Sequence, residues 1–244
     1  CAPGHFCIRG ANVSSPVVGV SGGRCLAGSL CGAGSKSPRM TTVSTTGQPC
    51  PAGSICPTDG LTSATACSAG KFSRGLGELD CDDCIAGFYC PSGTINPVTC
   101  PLGNFCPGNA TLPADCPDGT YGNSLGLQSA DQCTPCPTGS FCLGGVVTGQ
   151  CNAGFFCREG ASRADPPGRE CPAGYFCVAG TVTPQPCAAN TFRFSSGGTS
   201  QASCTTCPAG FRCESNNPVP TPCDPGFFCP ASTVIQPCPI GTFN

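Results

Sequence analysis

The fold class this sequence predicts is an array of small disulfide-rich repeats: short β-hairpins and irregular loops, almost no helix, drawn out into an elongated rod. Three observations predict it. Twenty-seven of the 244 residues are cysteine, and their spacing repeats. A glycine recurs three residues after the first cysteine of almost every repeat. No stretch carries a 3.6-residue apolar period, and 35 glycines and 27 prolines interrupt every run. That leaves short strands and turns and excludes long helices.

The cysteines come first. Ten times the chain reads C-x5-C, and three times C-x(13–16)-C-x2-C. Repeats open at Cys1, Cys25, Cys50, Cys67, Cys84, Cys100, Cys116, Cys136, Cys151, Cys171, Cys187, Cys207, Cys223 and Cys238. Short repeats carry a second cysteine six residues after the opener, then an arc of 8–18 residues. Long repeats open at Cys67, Cys116, Cys187 and Cys238, and the first three close on C-x2-C pairs at Cys81/Cys84, Cys133/Cys136 and Cys204/Cys207. The higher-order organisation is therefore three short repeats with long arcs over 1–66, long-short-short over 67–115, long-short-short-short over 116–186, long-short-short over 187–237, and the start of a further long repeat at 238–244. The chain opens on a repeat cysteine and ends inside a repeat, which reads as a window on a longer secreted chain.

Cysteine at about 11% exceeds the ~8–10% that marks a disulfide scaffold, and such a framework belongs in a secretory, extracellular or cell-surface setting. There is no Trp and one Met, so a single oily core is not expected. The formal charge of −2 offers no basic stripe for nucleic acid. No apolar run approaches the ~18–20 residues that span a bilayer, so no direct membrane insertion is expected.

Position 3, counted from the opener, is glycine in thirteen of fourteen repeats and Asn190 in the other. Asparagine is the side chain that best tolerates a left-handed backbone, so this position calls for φ > 0, as at the third residue of a type II turn. Position 5 is aromatic in eleven repeats: Phe6, Phe72, Tyr89, Phe105, Tyr121, Phe141, Phe156, Phe176, Phe192, Phe228 and Phe243. Leu30, Ile55 and Arg212 hold the rest. A ring beside a disulfide is the expected miniature core. The rings at position 4, Phe88, Phe155, Tyr175 and Phe227, point the other way on an extended chain and are candidates for an outer contact surface.

Spacing leaves two pairing schemes open. Each opener can bond the cysteine six residues on, with long repeats closing on themselves. Alternatively each second cysteine bonds the next opener and pinches the arc at its neck, which keeps the step between repeats constant whatever the arc length. If each six-residue arm is extended at ~3.3 Å per residue, a repeat advances at most ~20 Å, and thirteen repeats reach roughly 250 Å.

The recurring C-x2-C-P-x-G-x-F resembles ephrin-receptor-type and tumour-necrosis-factor-receptor-like cysteine-rich repeats, over the whole chain. The resemblance implies crossed bonds after each C-x2-C: Cys81–Cys90 and Cys84–Cys100, Cys133–Cys142 and Cys136–Cys151, Cys204–Cys213 and Cys207–Cys223. The remaining expected pairs are neck staples: Cys7–Cys25, Cys31–Cys50, Cys56–Cys67, Cys106–Cys116, Cys157–Cys171, Cys177–Cys187 and Cys229–Cys238. Cys1 is then unpaired in this window.

Chemistry is sparse. The three C-x2-C pairs invite zinc, but they lie in disulfide-type repeats and the chain holds one histidine, His5. Glu78, Asp80, Asp82 and Asp83 cluster around Cys81 in a spacing that matches no calcium loop and reads as a solvated acidic turn. No catalytic residue, metal or cofactor is expected, and no enzyme. Two N-glycosylation acceptors, Asn12-Val-Ser14 and Asn109-Ala-Thr111, lie in arcs. Thr41, Thr42, Ser44, Thr45 and Thr46 form a short mucin-like stretch suited to O-linked sugar. Long arrays of this repeat look like those of large algal or protist surface and mastigoneme-like proteins. That likeness implies a structural extracellular protein, glycosylated and self-associating into fibres or with other coat proteins, whose covalent staples resist stretching. The rival expectation, from the receptor-like resemblance, is a receptor or adhesion ectodomain that binds a protein ligand.

Overall fold

The computed structural model of the chain describes residues 1–9, 11–17, 21–230 and 235–241. Phe243 and the end of the last repeat lie outside these residues. The fold is the predicted array of disulfide-rich repeats. Twelve two-stranded antiparallel sheets, most of them two residues per strand, follow one another along the sequence. Among the described residues helix is confined to two 3₁₀ turns, Ala130–Gln132 and Gln201–Ser203, each just ahead of the closing cysteine of a long repeat.

One local rule builds every repeat. The carbonyl of position 1 accepts from the N–H of position 4, as in Phe88→Ile85 at 3.2 Å and Tyr175→Pro172 at 3.1 Å. Position 3 is the third residue of this turn. All thirteen of its glycines have φ between 78° and 91°, and Asn190 has φ 64°. The turn starts one residue after the opener, so the prolines common at position 1 occupy its first corner and not its second. Positions 4 and 5 then pair with the two residues just before the next opener: Phe88↔Thr99 and Tyr89↔Val98 in the Cys84 repeat, Lys71↔Asp83 and Phe72↔Asp82 in the Cys67 repeat. Thus short and long repeats share one hairpin in one register. The Cys151 repeat keeps only the bridge Phe155↔Glu170. The Cys136 repeat extends its hairpin across Gly144–Gly145, both at positive φ, with a register shift between Phe141 and Cys142.

Sulfur supplies the interior. Cysteines make up twenty-three of the twenty-eight buried apolar residues among those described; Leu30, Ala110, Leu127, Phe72 and Phe192 complete the set. The position 5 side chain packs on the disulfide of the following repeat. Leu30 meets Cys50 and Cys56, Phe72 meets Cys84 and Cys90, Tyr89 meets Cys100 and Cys106, and Phe192 meets Cys207 and Cys213. Most other rings at this position are half-buried, and Phe228 is exposed. Each core is thus a ring or aliphatic chain on a sulfur bridge, repeated along the chain.

Two compact bodies partition the chain, Cys1–Asp115 with Ser124–Gln132, and Cys116–Asn123 with Cys133–Asn244. The same repeat rule operates inside each.

Candidate functional site: the junction between repeats

The repeating junction is where the sequence concentrates its constraints. The N–H of each following opener donates to the carbonyl at position 3, as in Cys84→Gly70 and Cys100→Gly87, both at 2.9 Å. The position 3 N–H donates to the position 6 carbonyl of the next repeat: Gly70→Cys90 at 2.7 Å and Gly87→Cys106 at 2.8 Å. The opener's carbonyl accepts from a residue nine or ten along the next repeat: Gly93→Cys67 at 2.8 Å and Asn109→Cys84 at 2.7 Å. The position 6 N–H reaches one residue further, as in Cys90→Ala110 at 2.9 Å. Consecutive repeats are therefore bound by a ladder of backbone hydrogen bonds that makes no demand on side chains.

Contact also extends to the second repeat along. A Cβ built on Gly70 would lie 2.7 Å from the Asn109 carbonyl oxygen, one on Gly87 2.7 Å from that of Gly126, and one on Gly139 2.5 Å from that of Gly180. Position 3 therefore needs glycine twice over, for its left-handed φ and for this close approach. Sequence reasoning found the first requirement and missed the second. It also missed the approaching residue, whose φ is positive at Gly93, Gly126, Gly160 and Gly180, with Asn109 and Asn216 as non-glycine occupants among the described residues. The signal was present, because a short repeat's second cysteine is commonly followed by its own x2-G, as in Cys90-Pro-Ser-Gly93 and Cys177-Val-Ala-Gly180.

The disulfides correct the expected pairing throughout. Short repeats close on themselves: Cys1–Cys7, Cys25–Cys31, Cys50–Cys56, Cys84–Cys90, Cys100–Cys106, Cys136–Cys142, Cys151–Cys157, Cys171–Cys177, Cys207–Cys213 and Cys223–Cys229. Long repeats do likewise through Cys67–Cys81, Cys116–Cys133 and Cys187–Cys204. The neck staples Cys7–Cys25, Cys31–Cys50, Cys56–Cys67, Cys106–Cys116, Cys157–Cys171, Cys177–Cys187 and Cys229–Cys238 do not form. Neither do the crossed pairs Cys81–Cys90, Cys84–Cys100, Cys133–Cys142, Cys136–Cys151, Cys204–Cys213 and Cys207–Cys223. Cys1 is bonded, and Cys238 is the free cysteine among the described residues.

The reason lies in the arm and the register. The turn at positions 1–4 folds the six-residue arm back, so its terminal Cα atoms stand 5.6–6.3 Å apart instead of the ~20 Å of an extended arm. The neck is meanwhile closed by backbone pairing whose register misses the next opener. Cys7 faces Gly22, and Cys31 faces Gly47, in each case three residues short of it. That facing position is where long repeats put their second cysteine. Continuing Phe72↔Asp82 by one step sets Ser73 opposite Cys81. The opener's partner thus comes from either strand of the same hairpin, with nearly the same Cα separation: 5.8–5.9 Å in long repeats.

In long repeats the vacated position 6 holds Ser73, Gly122 or Arg193. Ser73 is buried, and its hydroxyl has no hydrogen-bond partner among the described residues. Arg193 braces its arc by donating from Nη1 to the Ser203 carbonyl and from Nη2 to that of Ser196, at 2.9 and 3.0 Å.

The remaining candidate residues are dispersed. Asn12 and Asn109 are exposed, Asn109 at φ 61°. Thr41, Thr42, Ser44 and Thr45 are exposed, while Thr46 is half-buried with its hydroxyl 3.3 Å from that of Ser44. Ser35, under the same arc, is buried and donates to the carbonyls of Gly32 and Thr46. Of the four rings expected to face outward, Phe227 is exposed, Phe155 and Tyr175 are half-buried, and Phe88 is half-buried against the cluster of Phe72, Cys84 and Cys90. Asp83 pairs with Lys71 at 2.7 Å, and the Asp80 carboxylate accepts from the Cys81 N–H. That hydrogen bond to Asp83, reinforced by the neighbouring carboxylates, raises the Lys71 ammonium above its ordinary pKa. His5 Nδ1 lies 3.4 Å from the Pro3 carbonyl. Among the described residues no helix is long and apolar enough to cross a membrane.

No family model matches the chain, and no curated protein matches it.

Proposed function

We propose that this chain is a structural extracellular protein, a segment of a disulfide-stapled stalk, filament or surface coat that is glycosylated and self-associating. The observation that carries this reading is the monotony of the junction. One contact of backbone hydrogen bonds, which asks only for glycine or asparagine at position 3, recurs from repeat to repeat, while the charged and aromatic residues that would vary around a ligand site are few and scattered. Thirteen disulfides also require an oxidising compartment, as secreted and surface proteins have. Asn12, Asn109 and the exposed hydroxyls of Thr41, Thr42 and Thr45 are the places where sugar would shield the arcs. Cysteines are consumed as bridges, and the role is mechanical, not enzymatic.

Electron microscopy of the native protein tests the proposal. Filaments or sheets with a regular axial repeat are expected, together with a mass above that of the bare chain that falls on deglycosylation. Dispersed single chains that capture a soluble protein ligand would overturn it in favour of a receptor or adhesion ectodomain.

A further inference from the structure

The disulfide topology separates the repeats into two mechanical kinds. Every bridge joins cysteines of the same repeat, so hydrogen bonds and packing alone hold one repeat to the next. In a short repeat the bridge encloses only the arm. The Cys84–Cys90 bond leaves nine residues, between Cys90 and Cys100, outside any covalent loop. In a long repeat the bridge encloses nearly everything. After Cys67–Cys81 only two residues, Asp82 and Asp83, separate Cys81 from the next opener.

We propose that the array is an extensible tether, in which the arcs of short repeats are stored length that tension releases and the three long repeats are covalently locked nodes that hold. This rests on the structural reading above and replaces the expectation that the staples resist stretching. The folded Cys84 repeat holds Cys100 against Gly87 through a 2.9 Å hydrogen bond, three residues from Cys90. Pulled straight, the chain from Cys90 to Cys100 spans about 35 Å, so release adds roughly 25 Å. The Cys25 repeat, with eighteen residues between Cys31 and Cys50, adds roughly 55 Å by the same count. A long repeat adds essentially nothing, because its two free residues already span their distance. The yielding bonds are backbone hydrogen bonds that re-form when tension falls, whereas the sulfur loops preserve each turn and guide refolding.

Force–extension measurement on the whole oxidised chain, held at its two ends, tests this without reference to self-assembly. Ten releases are expected, most of about 20–40 Å and two of about 55 Å, with none from the long repeats. Adding a phosphine reductant should then unlock each long repeat for about 45–55 Å more. An oxidised chain that does not lengthen stepwise, or that lengthens equally per repeat, overturns the proposal. The double substitution Cys90→Ser with Pro97→Cys moves the partner of Cys84 to the facing strand and should delete one release of about 25 Å. Should that variant misfold, Cys67→Ser with Cys81→Ser must add one release of about 45 Å, and its absence is equally fatal. If extension occurs as described but microscopy finds no assembly, the stalk reading fails while the tether stands.

Discussion

The Cys67 and Cys84 repeats are neighbours with the same turn and the same hairpin register, yet they are closed differently. In the Cys84 repeat the opener bonds along its own arm, to Cys90; in the Cys67 repeat it bonds across the hairpin, to Cys81. The backbone hardly registers the change, with Cα separations of 6.0 and 5.8 Å. What changes is the length of chain enclosed, a sequence separation of 6 against 14. A repeat fold can thus keep one geometry and vary its covalent reach by moving a single cysteine to the facing strand.

The largest expected effect comes from removing each bridge in turn. Loop-closure entropy assigns about 3 kcal/mol to Cys67–Cys81 and about 2 kcal/mol to Cys84–Cys90. Paired Cys→Ser variants, followed by amide exchange of their own hairpins, should rank in that order; the reverse ranking would show that buried-sulfur packing and not loop length decides.

Next come two glycines that face each other. A Cβ on Gly119 would stand 2.5 Å from the Gly160 carbonyl oxygen, whereas one on Gly160 has no described atom within 4 Å. Both carry positive φ, 86° and 80°. Gly160→Ala should cost about 1 kcal/mol for the left-handed backbone alone, and Gly160→Asn less. Gly119→Ala adds the overlap and should cost about 2–3 kcal/mol in all. Equal thermal shifts for the two would remove the close approach as a cause.

Ser73 sharpens the comparison between repeat types, since its unpartnered hydroxyl lies where a short repeat carries sulfur. Ser73→Ala should stabilise by about 1 kcal/mol. Ser73→Cys with Cys81→Ser should convert the repeat to short closure, detected by peptide mapping as a bond from Cys67 to the introduced thiol; an unpaired Cys67 would contradict the shared-hairpin account.

The smallest effect is at the surface. The hydrogen bond from Arg163 holds the Asp165 carboxyl below its ordinary pKa. A depressed folded pKa contributes stability that is present above the ordinary carboxylate value and is lost as pH falls through the folded one. Both groups are exposed and salt-screened, so Asp165→Asn should leave the melting midpoint unchanged within error at neutral pH.

The residues announced the repeat, its turn and its hairpins because these are local. Glycine or asparagine every time at position 3 leaves one backbone choice, and the apolar position 5 beside cysteine leaves one place to hide a ring. The junction was half legible: the second recurring glycine was written in the arcs, but its contact lies two repeats away, beyond any local pattern. Pairing was not legible, because the cysteine spacing satisfies either scheme on paper. Cysteine content and order by themselves determined that sulfur would replace an oily core. Which sulfur meets which was decided only in three dimensions, because the turn brings the arm's two ends within about 6 Å while the hairpin register carries the next opener three residues past its expected partner.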